Sequence, residues 1–98
     1  MRENALQTKC IKYLKEQGIY FINIHGDGWG SKGSPDIIAC IDGRFVAFEL
    51  KVDKNQMQSD QQIHAIRIKR NKGLHYCPRT IHRFIAIMEA IKDGRLDG

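Results

Sequence analysis

The chain has 98 residues, of which 42% are hydrophobic and 28% charged, and a formal net charge of +5 at pH 7. That length predicts one domain, residues 1–98, around a single hydrophobic core. No apolar run approaches the ~20 residues of a membrane span, so we expect no membrane segment. The absence of a signal peptide and the three widely spaced cysteines, which form neither a disulfide framework nor a zinc motif, predict a cytoplasmic protein. The basic charge favours a polyanionic partner.

The first helix is predicted over residues 2–17, because apolar residues recur there at helical spacing and Gly18 provides a natural stop. Glu3 shares a stripe with Leu6 and Cys10, which directs this acid toward the core side of the helix. Two interpretations of Glu3 stay open. It either suits the positive end of the helix dipole or supplies a carboxylate to a metal site.

A β-rich segment, Ile19–Ile24, predicts the first strand, and a glycine-rich loop follows it from His25 to Gly33. The loop contains G-x-G-x-x-G, but it leads into a second strand and does not open a helix, which argues against a dinucleotide site. Because it also carries Lys32, Trp29 and His25, the loop suits contact with a nucleic-acid backbone, although His25 alone indicates little. A plain mobile connection is the alternative.

The next segment predicts a β-hairpin with acids at its open end. Two apolar runs, Ile37–Ile41 and Phe45–Leu50, flank Asp42-Gly43, a pair typical of a type I′ turn. A two-residue turn at this place puts Asp36 directly opposite Glu49, with Cβ atoms roughly 4.5–5.5 Å apart. Two carboxylates at that distance repel each other unless a cation or a proton lies between them.

Lys51 returns to the face of Glu49 by the two-residue alternation of a strand, whereas Leu50 points to the opposite face. Apolar residues on both faces of the hairpin predict a sheet that is covered on both sides. Ionised groups at the edge of such a sheet are partly desolvated and need a partner or a cation. Oxygen ligands without a nearby Cys or His suit Mg²⁺ or Mn²⁺. The hairpin therefore predicts a metal site, with a surface ion-pair cluster as the structural alternative.

The second helix is predicted to begin at a capping box, S/T-x-x-E/Q, formed by Ser59 and Gln62, and to end near Gly73. Ile63 and Ile66 are expected to face inward. The outer surface and the C-terminal end carry basic residues that are candidates for nucleic-acid binding, although they also suit the helix dipole. Together with the loop lysine, these candidates are Lys32, Arg67, Lys69, Arg70 and Lys72.

The last elements are a short strand, Leu74–Cys77, and a helix that Thr80 caps. The apolar stripe of this helix is expected to face the core or a second subunit. The predicted order is α-β-β-β-α-β-α, which indicates an α/β domain.

The motif Pro35-Asp36, followed by Glu49-Leu-Lys51 at the end of a hairpin, resembles the signature of PD-(D/E)xK nucleases. Within that superfamily the chain most resembles the VRR-NUC (virus-type replication-repair nuclease) family. The further shared features are Glu3 in an N-terminal helix, the entry Gly33-Ser-Pro-Asp36, and Ser59-x-x-Gln62 at the start of the following helix. The resemblance covers nearly the whole chain.

The resemblance implies a restriction-endonuclease-like core, with a mixed central sheet of about four strands flanked by helices. It also implies hydrolysis of DNA phosphodiester bonds with Mg²⁺ or Mn²⁺ as the cofactor. Lys51 would orient or deprotonate the attacking water, and Gln62 would be an auxiliary active-site residue. The implied metal ligands are Asp36, Glu49, the Leu50 backbone carbonyl and, directly or through water, Glu3.

Small stand-alone members of the family resemble phage-type enzymes that cut branched DNA such as four-way junctions as homodimers. We therefore expect a structure-selective endonuclease that acts as a homodimer in the cytoplasm of a bacterium or a phage-infected host. A dimer is also expected because one small active site cuts one strand, whereas symmetric cleavage of a junction needs two sites. Two alternatives stay open: a non-catalytic DNA-binding module and a nuclease without structure preference.

Overall fold

The elements follow the order α-β-β-β-α-β-α in the computed structural model of the chain, as the sequence predicts. The structure describes residues 2–25, 28 and 30–96, without the side chain of Arg2. The helices and strands are α1 (Arg2–Glu16), β1 (Tyr20–Asn23), β2 (Ile37–Ile41), β3 (Arg44–Phe48), α2 (Ser59–Arg70), β4 (Leu74–Tyr76) and α3 (Ile81–Lys92).

The four strands form one mixed sheet in the order β1-β2-β3-β4. β1, β2 and β3 pair in antiparallel fashion, and β4 runs parallel to β3. A parallel neighbour needs a crossover connection, and α2 with its flanking loops supplies it. The α/β fold with a four-stranded mixed sheet is thus confirmed.

The β2–β3 hairpin has the predicted turn and register. Asp42 and Gly43 have φ angles of 52° and 78°, the positive values that a type I′ turn requires at both central residues. Ile41 pairs with Arg44, and the ladder continues in that register to Ile37–Phe48 at the open end. The hairpin therefore carries its two ends, and the residues that follow them, to one edge of the sheet.

One face of the sheet forms the hydrophobic core against α1 and α3. Phe48, which is fully buried, contacts Phe84 of α3 with ring centroids 4.7 Å apart. Burying a side chain of this size stabilises the fold by roughly 1.5–3 kcal/mol. The residues that share this core include Leu6, Cys10, Leu14, Ile37, Ala39, Ile41, Val46, Leu74 and Met88.

The opposite face is only partly covered, so the prediction of a sheet covered on both sides is wrong for its β1–β2 half. Ala47 and His75 are buried beside α2, but Cys40 and Phe45 on the same face are exposed. A helix is about 10–12 Å wide and strands are about 4.8 Å apart, so one helix covers about two strands. α2 packs against β4, and β1, β2 and the start of β3 are left open.

Helix α2 differs from its prediction in two respects. Its N-cap is Gln58 and not Ser59, because the Gln58 backbone N–H donates to Gln61 Oε1 at 2.7 Å. Ile63 and Ile66, which we expected to face inward, are 56% and 51% exposed. The reason is rotational: Ala65 occupies the buried side of the helix, and neighbouring helical residues point about 100° apart.

Helix α3 begins as predicted, since Thr80 Oγ1 accepts a hydrogen bond from the Arg83 backbone N–H at 3.1 Å. Its buried residues include Phe84 and Met88, which confirms the core interpretation of its apolar stripe. In the part of the chain that the structure describes, none of the helices has the length and apolar character needed to cross a bilayer.

Candidate active site

The open end of the hairpin holds Asp36 and Glu49 just beyond the last ladder pair, Ile37–Phe48. The Asp36 backbone N–H donates to the Phe48 carbonyl at 3.0 Å, so the hydrogen bonding shifts by one residue where the ladder ends. The Glu49 backbone N–H donates to the Tyr76 carbonyl of β4 at 2.9 Å. The parallel strand β4 thus fixes the backbone of one acid, and the hairpin fixes the backbone of the other.

The Asp36 carboxylate is held from two sides. Its Oδ2 accepts a hydrogen bond from the Leu50 backbone N–H at 2.8 Å. His25 Nε2 lies 3.7 Å from Oδ1 and 2.9 Å from the Ser34 carbonyl oxygen. The hydrogen bond from Leu50 thus fixes the Asp36 carboxylate at the open end of the hairpin.

Glu49 is the most unusual group of the site, because the residue is only 2% exposed. Its Oε2 accepts a hydrogen bond from Gln61 Nε2 at 2.9 Å, and Lys51 Nζ lies 3.9 Å from the same oxygen. Its Oε1 is buried without a hydrogen-bond partner among the described residues. A buried polar oxygen without a partner is costly, and in native proteins it often marks a ligand site.

The electrostatics of the site oppose ionisation of Glu49. Burial, and less strongly the nearby negative charge of Asp36, raise the pKa of Glu49 from 4.5 to about 8. The Lys51 ammonium acts in the opposite direction and lowers the pKa, while Glu3 adds a smaller upward effect. Without a cation the pair of acids therefore favours one proton at neutral pH.

Glu3 lies half-buried at the start of α1, and its charge reaches Glu49. This orientation agrees with the side of the helix expected for it. Among residues 2–25, 28 and 30–96, however, no three or more His, Cys, Asp or Glu side chains form a group that could hold a metal. The site thus consists of two adjacent acids, with Glu3 as a more distant charge.

Gln61, and not Gln62, is the glutamine of the site. Gln61 links the N-terminus of α2 to the acids, since its Oε1 accepts from the Gln58 backbone and its Nε2 donates to Glu49. Gln62 is exposed, and its Nε2 donates to the Met57 carbonyl at 3.0 Å. The assignment of Gln62 is therefore corrected: the helix begins one residue earlier than its capping motif suggests, which turns the preceding glutamine toward Glu49.

Lys32 lies close to this corner of the molecule, 93% exposed, with its Nζ 4.0 Å from Asp60 Oδ2. Gly33 brings the loop against α2: its φ is +83°, and a Cβ there would lie 2.9 Å from the Asp60 backbone. Loop and helix enclose a cleft of about 570 Å³ lined by Lys32, Gly33, Gln58, Ser59, Asp60 and Gln61. Trp29, another loop residue expected to contact nucleic acid, lies outside the described residues.

The remaining basic candidates lie at the other end of α2. They are all exposed and follow one another in its last turn and just beyond it: Arg67, Lys69, Arg70 and Lys72. α2 has 12 residues, so its C-terminal end is roughly 18 Å from the end that carries Gln61. The structure thus separates Lys32, near the acids, from a basic cluster at the far end of the helix.

His25 is a site residue that the sequence pattern could not assign. The sequence grouped His25 with the loop residues that suit nucleic-acid contact, and only the folded loop shows that its ring lies 3.7 Å from Asp36. The sequence prediction also missed Gln61 as the glutamine that contacts Glu49. The two adjacent glutamines at the start of α2 were both candidates, and the pattern did not distinguish between them.

The donor set fits a hard divalent cation. Asp36 and Glu49 offer carboxylate oxygens, one of which is buried without a partner among the described residues. A cation between the acids would offset both the desolvation of Glu49 and its repulsion from Asp36. Ligands of this type suit Mg²⁺ or Mn²⁺ better than softer metals.

No protein-family model, curated protein or solved structure matches this chain. The resemblance to VRR-NUC nucleases therefore stays a prediction from the motifs.

Proposed function

We propose that the protein is a DNA endonuclease that hydrolyses phosphodiester bonds with Mg²⁺ or Mn²⁺. The observation that carries this proposal is the buried Glu49 carboxylate beside Asp36, with one oxygen lacking a partner and Lys51 Nζ 3.9 Å from the other. A structural ion pair between Glu49 and Lys51 has no need of a second acid. Burial and the nearby Asp36 together raise the pKa of Glu49 to about 8, so the arrangement is costly. Groups perturbed at such cost cluster at functional sites.

Asp36, Glu49 and the Leu50 carbonyl would hold the cation, and Glu3, the more distant acid, would complete its shell through water. When bound, such a cation lowers the pKa of a bound water and offsets charge that develops on the phosphate. Lys51 contacts Glu49 from within the site. There its ammonium would orient the attacking water, or its neutral amine would accept the proton of that water. Gln61 keeps Glu49 in place through the hydrogen bond from Nε2.

The substrate is DNA, because the chain carries a net charge of +5 and the cleft beside the acids has Lys32 at its rim. A lysine in that position would contact backbone phosphates, and such contacts carry no information about the base sequence. Binding should then weaken steeply as salt rises. The preferred DNA is branched, such as a four-way junction, and the active form is a cytoplasmic homodimer that cuts two strands.

The test is cleavage of end-labelled four-way junction, flap, duplex and single-stranded DNA in Mg²⁺, Mn²⁺ or EDTA. The wild type should yield product only with metal, and Lys51→Ala should yield none. Lys54→Ala, which changes an exposed lysine three positions away, is the matched control and should cleave like the wild type.

Cleavage that survives Lys51→Ala, or the absence of any metal-dependent product while DNA binding persists, would contradict the proposal. The second result would assign the protein to non-catalytic DNA-binding modules. Equal cleavage rates on all four substrates would support the nuclease activity but contradict the preference for branched DNA.

A further inference from the structure

The open half of the sheet displays a row of exposed side chains across three strands. Tyr20 pairs with Cys40, and Cys40 pairs with Phe45, so the three residues lie side by side on one face. Tyr20 is 71% and Phe45 48% exposed. With strands about 4.8 Å apart, the two aromatic residues stand roughly 10 Å from each other.

Phe45 forms the wall between two clefts on this face. The first, of about 260 Å³, is apolar and includes Tyr20 and Cys40. The second, of about 480 Å³, lies between Phe45 and the last turns of α2, where Arg67 and Asn71 line it. Gly73 keeps this second cleft open, because a Cβ there would lie 3.2 Å from the Phe45 ring and 2.8 Å from Ile68 Cγ2.

The charges around the second cleft are of one sign. Arg67 lines the cleft itself, and the charged residues that follow it as far as Lys72 are all basic and exposed. A second copy of the chain seated on this face would bring two such clusters together, and their repulsion opposes that contact. A polyanion with flat apolar parts satisfies both the cations and the aromatic rings.

We propose that this face, the aromatic row Tyr20–Cys40–Phe45 together with the basic end of α2, binds single-stranded DNA. Unpaired bases stack on Tyr20 and Phe45, and Arg67 with its basic neighbours contacts the phosphates. Stacking on aromatic side chains accepts every base, so binding here needs no particular sequence. The proposal rests on DNA being the substrate. It extends the proposed function by making unpaired nucleotides, bound at the end of α2 opposite to the one that carries Gln61, part of what the protein recognises.

The test is fluorescence anisotropy of a labelled 15-nucleotide oligo-dT, with a blunt 15-base-pair duplex as the comparison ligand. EDTA is present throughout, so that cleavage plays no part. Tyr20→Ala and Phe45→Ala should each raise the Kd for oligo-dT by about 5- to 150-fold, the usual effect of losing one stacked base. Their Kd for the duplex should change less than twofold.

Two further variants separate stacking from apolar character and from charge. Ile66→Ala removes an exposed apolar side chain from α2 and should leave the Kd for oligo-dT unchanged. Arg67→Gln should lower the slope of log affinity against log salt by roughly 0.7, the loss of one phosphate contact on a single strand. Tyr20→Ala keeps the proposal testable if Phe45→Ala fails to fold, because Tyr20 is the more exposed residue.

Unchanged oligo-dT binding in a folded Tyr20→Ala or Phe45→Ala variant would overturn the inference. So would a sedimentation experiment in which Phe45→Ala converts a dimer to monomers without changing the affinity for oligo-dT, since the face would then be an interface between copies. Neither result bears on the nuclease proposal, because that proposal is tested separately by the dependence of cleavage on Lys51 in Mg²⁺.

Discussion

Replacing Glu49 with glutamine should change how the stability of the metal-free protein depends on pH. The pKa of Glu49 is about 8 in the folded chain and 4.5 as its ordinary value, so folding favours the protonated acid. Between these two values the unfolded chain has already lost the proton that the folded chain keeps. Stability from this group is therefore fully present below pH 4.5 and falls as pH rises toward 8.

The magnitude follows from the same two pKa values. Between pH 6.5 and pH 8, the free energy of unfolding of the wild type in EDTA should fall by roughly 1–2 kcal/mol because of Glu49. Glu49→Gln removes this dependence, keeps the side-chain volume and still offers Gln61 an oxygen to donate to. The difference between the two proteins should appear as a melting temperature that falls about 6–12 °C further in the wild type over that range.

The pH range is chosen to exclude the effect of His75, whose pKa also differs from its ordinary value in the folded chain. Burial lowers its pKa from 6.5 to about 4, with a smaller effect from Lys69, so its contribution is lost as pH falls from 6.5 toward 4. Above pH 6.5 this contribution is nearly complete and common to both proteins. The assay is urea or thermal unfolding followed by circular dichroism in EDTA, at several pH values from 6.5 to 8. Parallel curves for the wild type and Glu49→Gln would refute the account of Glu49 as a buried acid opposed by Asp36.

Other consequences follow from named contacts. Gln61→Ala should weaken Mn²⁺ binding, measured by electron paramagnetic resonance of the free ion, by roughly 10- to 100-fold, whereas Gln62→Ala should not; equal effects would refute the assignment of Gln61. Gly33→Ala should lower the free energy of unfolding by more than about 1 kcal/mol in urea titrations, because φ +83° and the Asp60 backbone both oppose a Cβ; an unchanged midpoint would contradict this. Cys40 should react rapidly with a thiol reagent in the native protein and Cys10, buried with its pKa raised to about 12, should not; rapid labelling that persists in the double variant Cys40→Ser/Cys77→Ser would contradict this.

The hairpin and its acids could be predicted from the sequence because their determinants are local. Asp42-Gly43 specifies the turn, and the alternation of side chains then specifies which residues share a face. The predicted register is wrong only at its end. The Asp36 backbone N–H donates to the Phe48 carbonyl, whereas the predicted register pairs Asp36 with Glu49. The two acids still meet, because that shift is smaller than the reach of their side chains.

The errors concern features that depend on contacts distant in sequence. Gln61 and Gln62 are equally good candidates at a helix start, and the choice between them depends on how α2 is rotated above Glu49. The exposure of Ile63 and Ile66 has the same origin. The open half of the sheet could not be predicted either, because the apolar pattern of β2 and β3 does not show how many helices cover each face.

The most direct measurement of the central claim compares two aspartates of the same hairpin. Asp36→Asn removes a charge at the acid end, and Asp42→Asn removes one at the exposed turn, where asparagine tolerates the positive φ of 52°. Both proteins would be incubated with a labelled four-way junction in Mg²⁺, beside wild type and an EDTA control. We expect Asp42→Asn to cut at the wild-type rate and Asp36→Asn to cut at least about 100-fold more slowly, because a lost metal ligand removes several kcal/mol of stabilisation from the transition state. Wild-type cutting by Asp36→Asn would contradict the claim that these acids hold a catalytic cation.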